Sequence, residues 1–319
     1  MALVPLTSHV TDLRAHDGRG AFVNLAYWLV AVALLFVTAL GVPLSQPGEV
    51  IAATALMIGG GLPHGAYDIA LLRRATTLDR CGLTLAVSGY VAIVALMAVL
   101  WTAAPLLALV LFLAVSAYHF GEDWAMLDVP LLRLAAGAAV IAAATIGHPA
   151  HVTGLFVTMS DPRAAVIARI IIAAAPVILL VTAVGIVTAW RNGSRQWAAA
   201  MASCLAMLFF LPPVAGFSLF FVFLHSPRHL TLARVALQDM NQINWYATGA
   251  LVSGTAIFGW WAQHGLMRWR LDLSLTAQAF QLLAAVALPH LLLSRWLENR
   301  QNQASSIEPF RSHARPATT

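Results

Sequence analysis

The chain has 319 residues, 60% of them hydrophobic and only 10% charged, with a mean hydropathy of +0.80. Soluble domains carry roughly a quarter charged residues, so this composition excludes an ordinary water-soluble globule and points to an integral membrane protein. The net charge of +5 comes entirely from arginine, because the chain contains no lysine; it suits loops facing an anionic leaflet better than a nucleic-acid surface.

Apolar runs of bilayer length recur from end to end and leave no room for a separate soluble domain. The expected fold class is all-α: a polytopic transmembrane helix bundle of about ten spans, with both termini cytoplasmic. The spans are expected at about 21–42, 49–72, 82–101, 104–122, 130–148, 164–190, 196–211, 213–230, 244–263 and 275–297. A polar N-terminal segment (1–20) precedes the transmembrane helical domain (21–297). The polar tail (298–319), with its Pro, Ser and Thr, reads as disordered. Prolines mark the breaks: Pro43 and Pro47 after the first run, Pro105 before the fourth, Pro149 after the fifth, and Pro212-Pro213 between the seventh and eighth.

Arginine placement sets the orientation. With the N-terminus inside, Arg14, Arg19, Arg73, Arg74, Arg80, Arg133, Arg191, Arg195, Arg228, Arg234, Arg295, Arg300, Arg311 and Arg315 fall on the cytoplasmic side. Only Arg163, Arg169, Arg268 and Arg270 fall on the other, which is the asymmetry of the positive-inside rule. The location that follows is a multi-pass protein of the cell inner membrane. Cys81 and Cys204 have neither metal-site spacing nor a setting that suggests a disulfide.

Histidines carry the chemistry. In Phe221-Val222-Phe223-Leu224-His225-Ser226-Pro227-Arg228-His229, two imidazoles stand four residues apart, where a long apolar run meets its first charge. On a helix, positions i and i+4 share a face, the spacing that offers two imidazoles to one metal ion, although Pro227 removes a donor and invites a bend. The assumed topology brings His64, His119 and His290 to the same leaflet, so five histidines from four helices converge there. His64 would lie ~13 Å inside at helical rise. Polar groups inside a membrane are costly and usually functional, and clustered imidazoles suit Fe, Zn, Cu or Ni.

Asp68, four residues after His64, and Glu122, three after His119, are placed to orient an imidazole through its second nitrogen. Asp123 is read as facing water. His290, which follows Pro289, is read as a hydrogen-bonded partner for a helix break. His148, His151 and His264 fall towards the opposite face, and His9, His16 and His313 lie in the polar ends. Gly59-Gly60-Gly61 reads as close helix packing or a local kink, since no strand precedes it as in a phosphate-binding loop.

Three blocks together, Gly61-Leu62-Pro63-His64-Gly65-Ala66-Tyr67-Asp68, Tyr118-His119-Phe120-Gly121-Glu122-Asp123 and His225-Ser226-Pro227-Arg228-His229, resemble the Brp/Blh family of membrane β-carotene 15,15′-dioxygenases. Their order and separation fit over about residues 55–295. The resemblance implies a catalytic transmembrane domain that uses Fe(2+) and O2 to cleave β-carotene at its central double bond, giving two retinal molecules. The iron ligands it implies are His64, His119, His225 and His229; Asp68, Glu122 and His290 are, on their positions, the candidates to support them from behind. It also implies β-carotene and O2 as substrates, the lipid bilayer as surroundings, and a functional link to a retinal-binding rhodopsin.

No other catalytic side chain is then needed, and none of the nucleophile-and-base sets is present. Tyr118, Phe120, Trp124, Phe221 and Phe223 flank the ligands and are candidates to line the substrate channel. Tyr67 stands where the family's pattern has a smaller residue, which would alter pocket shape. Two other readings remain open on the residues alone: a haem-binding membrane electron-transfer protein, and a metal or proton transporter with intramembrane histidines. A di-iron desaturase needs about eight histidines at the site, against five on this face.

Overall fold

The computed structural model describes residues 23–44, 47–264 and 273–312. The polar segment expected at 1–20, with His9 and His16, and the last residues of the tail, 313–319 with His313, lie outside the described residues. All regular structure among the described residues is helical: α1 (Leu25–Ala39), α2 (Pro47–Gly61), α3 (Asp68–Ala75), α4 (Arg80–Ala103), α5 (Pro105–Glu122), α6 (Pro130–Gly147), α7 (Pro149–Met159), α8 (Ala164–Arg191), α9 (Arg195–Phe210), α10 (Pro213–Phe220), α11 (Ser226–Ala236), α12 (Gln242–His264) and α13 (Leu273–Ser312). A 3-10 turn (Leu62–Gly65) follows α2, and a π turn (Phe221–His225) joins α10 to α11.

Proline starts five of these helices. Its fixed φ suits the first helical position and its missing N–H costs nothing there. The residue before four of these prolines is driven out of the α region: Ala104 has ψ 67°, Val129 ψ 114°, His148 ψ 59° and Pro212 ψ 139°. Pro149 therefore starts α7, a short helix after the fifth expected span that the sequence reading passed over.

Among the described residues, five helices are long and apolar enough to cross a membrane: α4, α5, α6, α8 and the Leu275–Leu297 part of α13. Of the other expected spans, α1 and α9 are shorter, two are interrupted, and α12 is an unbroken helix of 23 residues that is not among these five. The run expected as one helix at 49–72 is broken into α2, a 3-10 turn and α3. The run at 213–230 changes register in the π turn and continues to Ala236. At the C-terminal end, α13 runs through Pro289 without a break and reaches Ser312.

Burial separates the periphery from the centre. Only 11% of the apolar window of α4 and 17% of that of α8 is buried, against 61% for Leu275–Leu297. The residues of the two turns are buried at Leu62, Gly65, Phe221, Leu224 and His225, the condition under which non-helical backbone is tolerated at membrane depth. Small residues let neighbours approach closely. A Cβ on Gly137 of α6 would stand 1.9 Å from the Ala117 carbonyl oxygen of α5. Interhelical hydrogen bonds add specific ties: Thr54 to Thr276 (3.0 Å), Ser218 Oγ to the Ala53 carbonyl (2.9 Å), Gln281 Nε2 to the Met159 carbonyl (2.7 Å) and Tyr27 OH to the Ala200 carbonyl (2.8 Å).

Candidate metal centre

The break after α2 sets His64. A Cβ on Gly60 would come 2.6 Å from Val222 Cγ1, and one on Gly61 would come 2.1 Å from Phe221 Cε1, so only glycines let α2 press against the π turn. Pro63 then tightens the chain into the 3-10 turn, and the His64 Nδ1–H donates to the Gly61 carbonyl. His64 is therefore displayed on a turn rather than on the straight helix assumed from its spacing to Arg73. Asp68, no longer one α-turn from it, faces another partner.

The π turn sets the histidine pair. Pro227 has no N–H to give, and in a regular helix its ring would collide with the carbonyl four residues back. The chain widens by one residue instead: the Ser226 N–H reaches Phe221 O, five residues earlier. Such π turns recur at functional sites because they re-aim side chains. Here the His225 and His229 ring centroids lie 4.5 Å apart.

Carboxylates orient the imidazoles. His225 Nδ1–H donates to Asp123 Oδ2 at 2.7 Å, and His229 Nε2 lies 3.5 Å from Asp123 Oδ1. The Asp123 carboxylate is 1% exposed and its carbonyl accepts from Arg228. The reading of Asp123 as water-facing is thus overturned: it caps α5, so its side chain turns from that helix's outer surface towards the π turn.

His119 Nδ1–H donates to Glu122 Oε2 at 2.9 Å, while Glu122 Oε1 lies 2.9 Å from Arg295 Nε. His290 Nδ1–H donates to Asp68 Oδ1 at 2.8 Å, and Tyr90 OH donates to Asp68 Oδ2 at 2.9 Å. Asp68 therefore pairs with His290 rather than with its sequence neighbour His64. Since α13 is unbroken, His290 mends no helix break. No spacing rule pointed to Tyr90; the only cue for Asp123 was a carboxylate at the depth of the histidines.

The five rings of His64, His119, His225, His229 and His290 form one cluster. Among His64, His119, His225 and His229, centroid separations run from 4.5 Å (His225–His229) to 6.2 Å (His64–His119), and His290 lies 5.1 Å from His64. Donor atoms of His64, His119 and His225 all lie within 4.8 Å of one another, as do those of Asp123, His225 and His229. Buried Nε2 atoms of His119, His225 and His290 have no hydrogen-bond partner, and that of His229 has only the distant Asp123 oxygen. With Nδ1 committed as donor in His119, His225 and His290, the Nε2 of each of these three presents a lone pair. Orphaned buried acceptors are costly, and a transition-metal cation satisfies several at once. At metal–imidazole bonds of about 2.1 Å, opposite nitrogens stand about 4.2 Å apart, so the set closes on an ion by small shifts. The residues fit a metal. His148 and His151, by contrast, pair with each other at the α6–α7 joint, with centroids 6.3 Å apart.

His64, His119 and His290 line an apolar cavity. Phe112, Phe120, Phe217 and Phe221 are among its walls. Of the channel candidates, Phe120 and Phe221 are thus in place. Tyr118 is 39% exposed with the Arg295 guanidinium 4.5 Å over its ring, Trp124 is fully buried away from the walls, and Phe223 packs against the core. Tyr118 and Phe223 stand two residues from a wall residue and so point to the other side of the chain, and Trp124 lies past the end of α5. Tyr67 also turns away, stacking on Trp245 at 3.7 Å and donating to its carbonyl.

A family profile described as beta-carotene 15,15'-dioxygenase matches residues 55–298. The chain belongs to that family. All five clustered histidines and the Asp68, Glu122 and Asp123 carboxylates fall inside the match. Over 259 residues the chain is 24% identical to the beta-carotene 15,15'-dioxygenase of uncultured marine bacterium 66A03, covering 76% of this chain and 91% of that protein. No solved structure matches the chain.

Proposed function

We propose that this protein cleaves β-carotene oxidatively at its 15,15′ double bond, in the inner cell membrane, using O2 and one Fe(2+) ion. The observation that carries the reading is the imidazole cluster beside an apolar cavity that three of its histidines line, in a chain of the dioxygenase family. His64, His119, His225 and His229 would hold the iron. Bound there, Fe(II) supplies the one-electron chemistry that lets O2 react with a closed-shell polyene.

The chain's own residues do the rest. Asp123 and Glu122 hold imidazole protons on Nδ1, so the other nitrogens keep their lone pairs inward. Phe120, Phe217 and Phe221 exclude water and give the polyene a flat apolar bed, leaving positioning as the protein's main contribution. One oxygen atom goes to each carbon of the broken double bond, so both products are aldehydes, two molecules of retinal, and no further reductant is consumed. A bilayer-dissolved substrate suits a site enclosed by helices. The arginine asymmetry supports ten traverses with both termini in the cytoplasm and the metal near the inner leaflet. A retinal-binding rhodopsin would be a natural acceptor of the product.

A haem protein would need a slot as wide as a macrocycle between two imidazoles. Here the other imidazoles, Phe120 and Phe221 pack against His225 instead. The deciding experiment is expression in a β-carotene-producing host followed by pigment extraction. Bleaching with retinal accumulation is expected, and its loss in His64→Ala and His229→Ala. Unchanged pigment beside folded, iron-loaded protein would refute the activity.

A further inference from the structure

We propose that His290 is a fifth imidazole donor to the metal, contributed from the cavity side by α13. The inference rests on the metal-centre reading above and extends its ligand set. The His290 side chain is 6% exposed, and its Nε2 has no hydrogen-bond partner. Its ring centroid lies 5.1 Å from His64, 5.3 Å from His119 and 6.0 Å from His229, and these three distances fall within the range the other four rings span among themselves.

The orienting device is the same as for the other ligands, and more elaborate. Both Asp68 oxygens approach His290 Nδ1, at 2.8 and 3.0 Å, and Tyr90 OH donates to one of them. A carboxylate that is itself hydrogen-bonded, behind an imidazole with a bare inward nitrogen, is the arrangement that fixes metal-ligating histidines. That bare nitrogen has no donor to meet in the cluster. The N–H groups of His64, His119 and His225 are spent on Gly61, Glu122 and Asp123, and their inward nitrogens are acceptors like its own. A shared cation resolves all of them together.

His290 stands outside the two sets whose donor atoms all lie within 4.8 Å, and it lines the cavity with His64 and His119, whereas His225 and His229 do not. It therefore completes the shell on the side where substrate arrives. A ligand there shapes which position of the metal faces the polyene.

The test uses the purified full chain in detergent, titrated with Co(II) and followed by its visible ligand-field bands. Wild type should take up one Co(II) per chain. His290→Ala should bind at least tenfold more weakly, with altered bands, and added imidazole should restore both. X-ray absorption on Co(II)-loaded wild type should count five imidazoles, a reading that does not depend on the variant folding. Wild-type bands and affinity in His290→Ala, or a count of four, would overturn the proposal. A wild-type chain that binds no Co(II) would overturn the metal centre itself, a different outcome from either.

Discussion

Replacing Asp123 by Asn isolates the most concentrated electrostatic device at the site. The substitution keeps the shape, and the amide oxygen can still accept from His225 Nδ1, so the fold should survive. What disappears is the negative charge at 1% exposure behind His225, a proposed ligand. Loss of one orienting partner typically costs 10- to 100-fold in metal affinity. The 2.7 Å contact to His225 is a full charge-assisted hydrogen bond at a buried carboxylate, which puts the loss in the upper part of that range. A loss of about 30- to 100-fold, or roughly 2–3 kcal/mol, is therefore expected. Dialysis against graded chelator, followed by metal analysis, reads the affinity; retinal formation should fall in parallel. Glu122→Gln provides the scale, because Glu122 is 19% exposed and shares its charge with Arg295; its loss should stay nearer tenfold. Metal affinity within twofold of wild type in Asp123→Asn would refute the orienting role.

Pro227→Ala restores a backbone donor and removes the ring clash, so the π turn should relax towards regular register and swing His225 out of line with His229. Metal binding should drop sharply while circular dichroism stays helical; unchanged affinity would show that the turn does not depend on the proline. Glycine substitutions should split by surroundings. Gly137→Ala drives a Cβ into the Ala117 carbonyl, which cannot give way without separating α5 from α6, and should cost about 1–3 kcal/mol or more. Gly89→Ala in α4 meets nothing within 4 Å and should be neutral or stabilising by up to about 1 kcal/mol, both checked by thermal unfolding in detergent.

Helix existence was legible because apolar runs punctuated by proline leave few alternatives, and the histidines stood out because an imidazole in such a run has no cheap explanation. Glu122 behind His119 followed from i,i+3 geometry on an intact helix. Asp68 did not pair as its spacing suggested, because the chain between it and His64 leaves α-helical register; that depends on how Gly60 and Gly61 meet Val222 and Phe221, residues far along the chain. Asp123 was misread because a residue at a helix end can turn either way, and the direction is set by a helix more than a hundred positions later. The same dependence hid Tyr90 and sent Tyr118, Trp124 and Phe223 away from the cavity.

The contrast between shielded centre and lipid-facing rim also bears on how such proteins diverge. At Leu85, Val91, Val177 and Leu180, all more than half exposed, one aliphatic side chain serves as well as another, since hydrocarbon outside asks only for hydrocarbon. Substitutions can accumulate there without touching chemistry. Percentage identity is then a dull ruler of kinship, and 24% over most of two chains can accompany a shared arrangement of the few polar groups that matter.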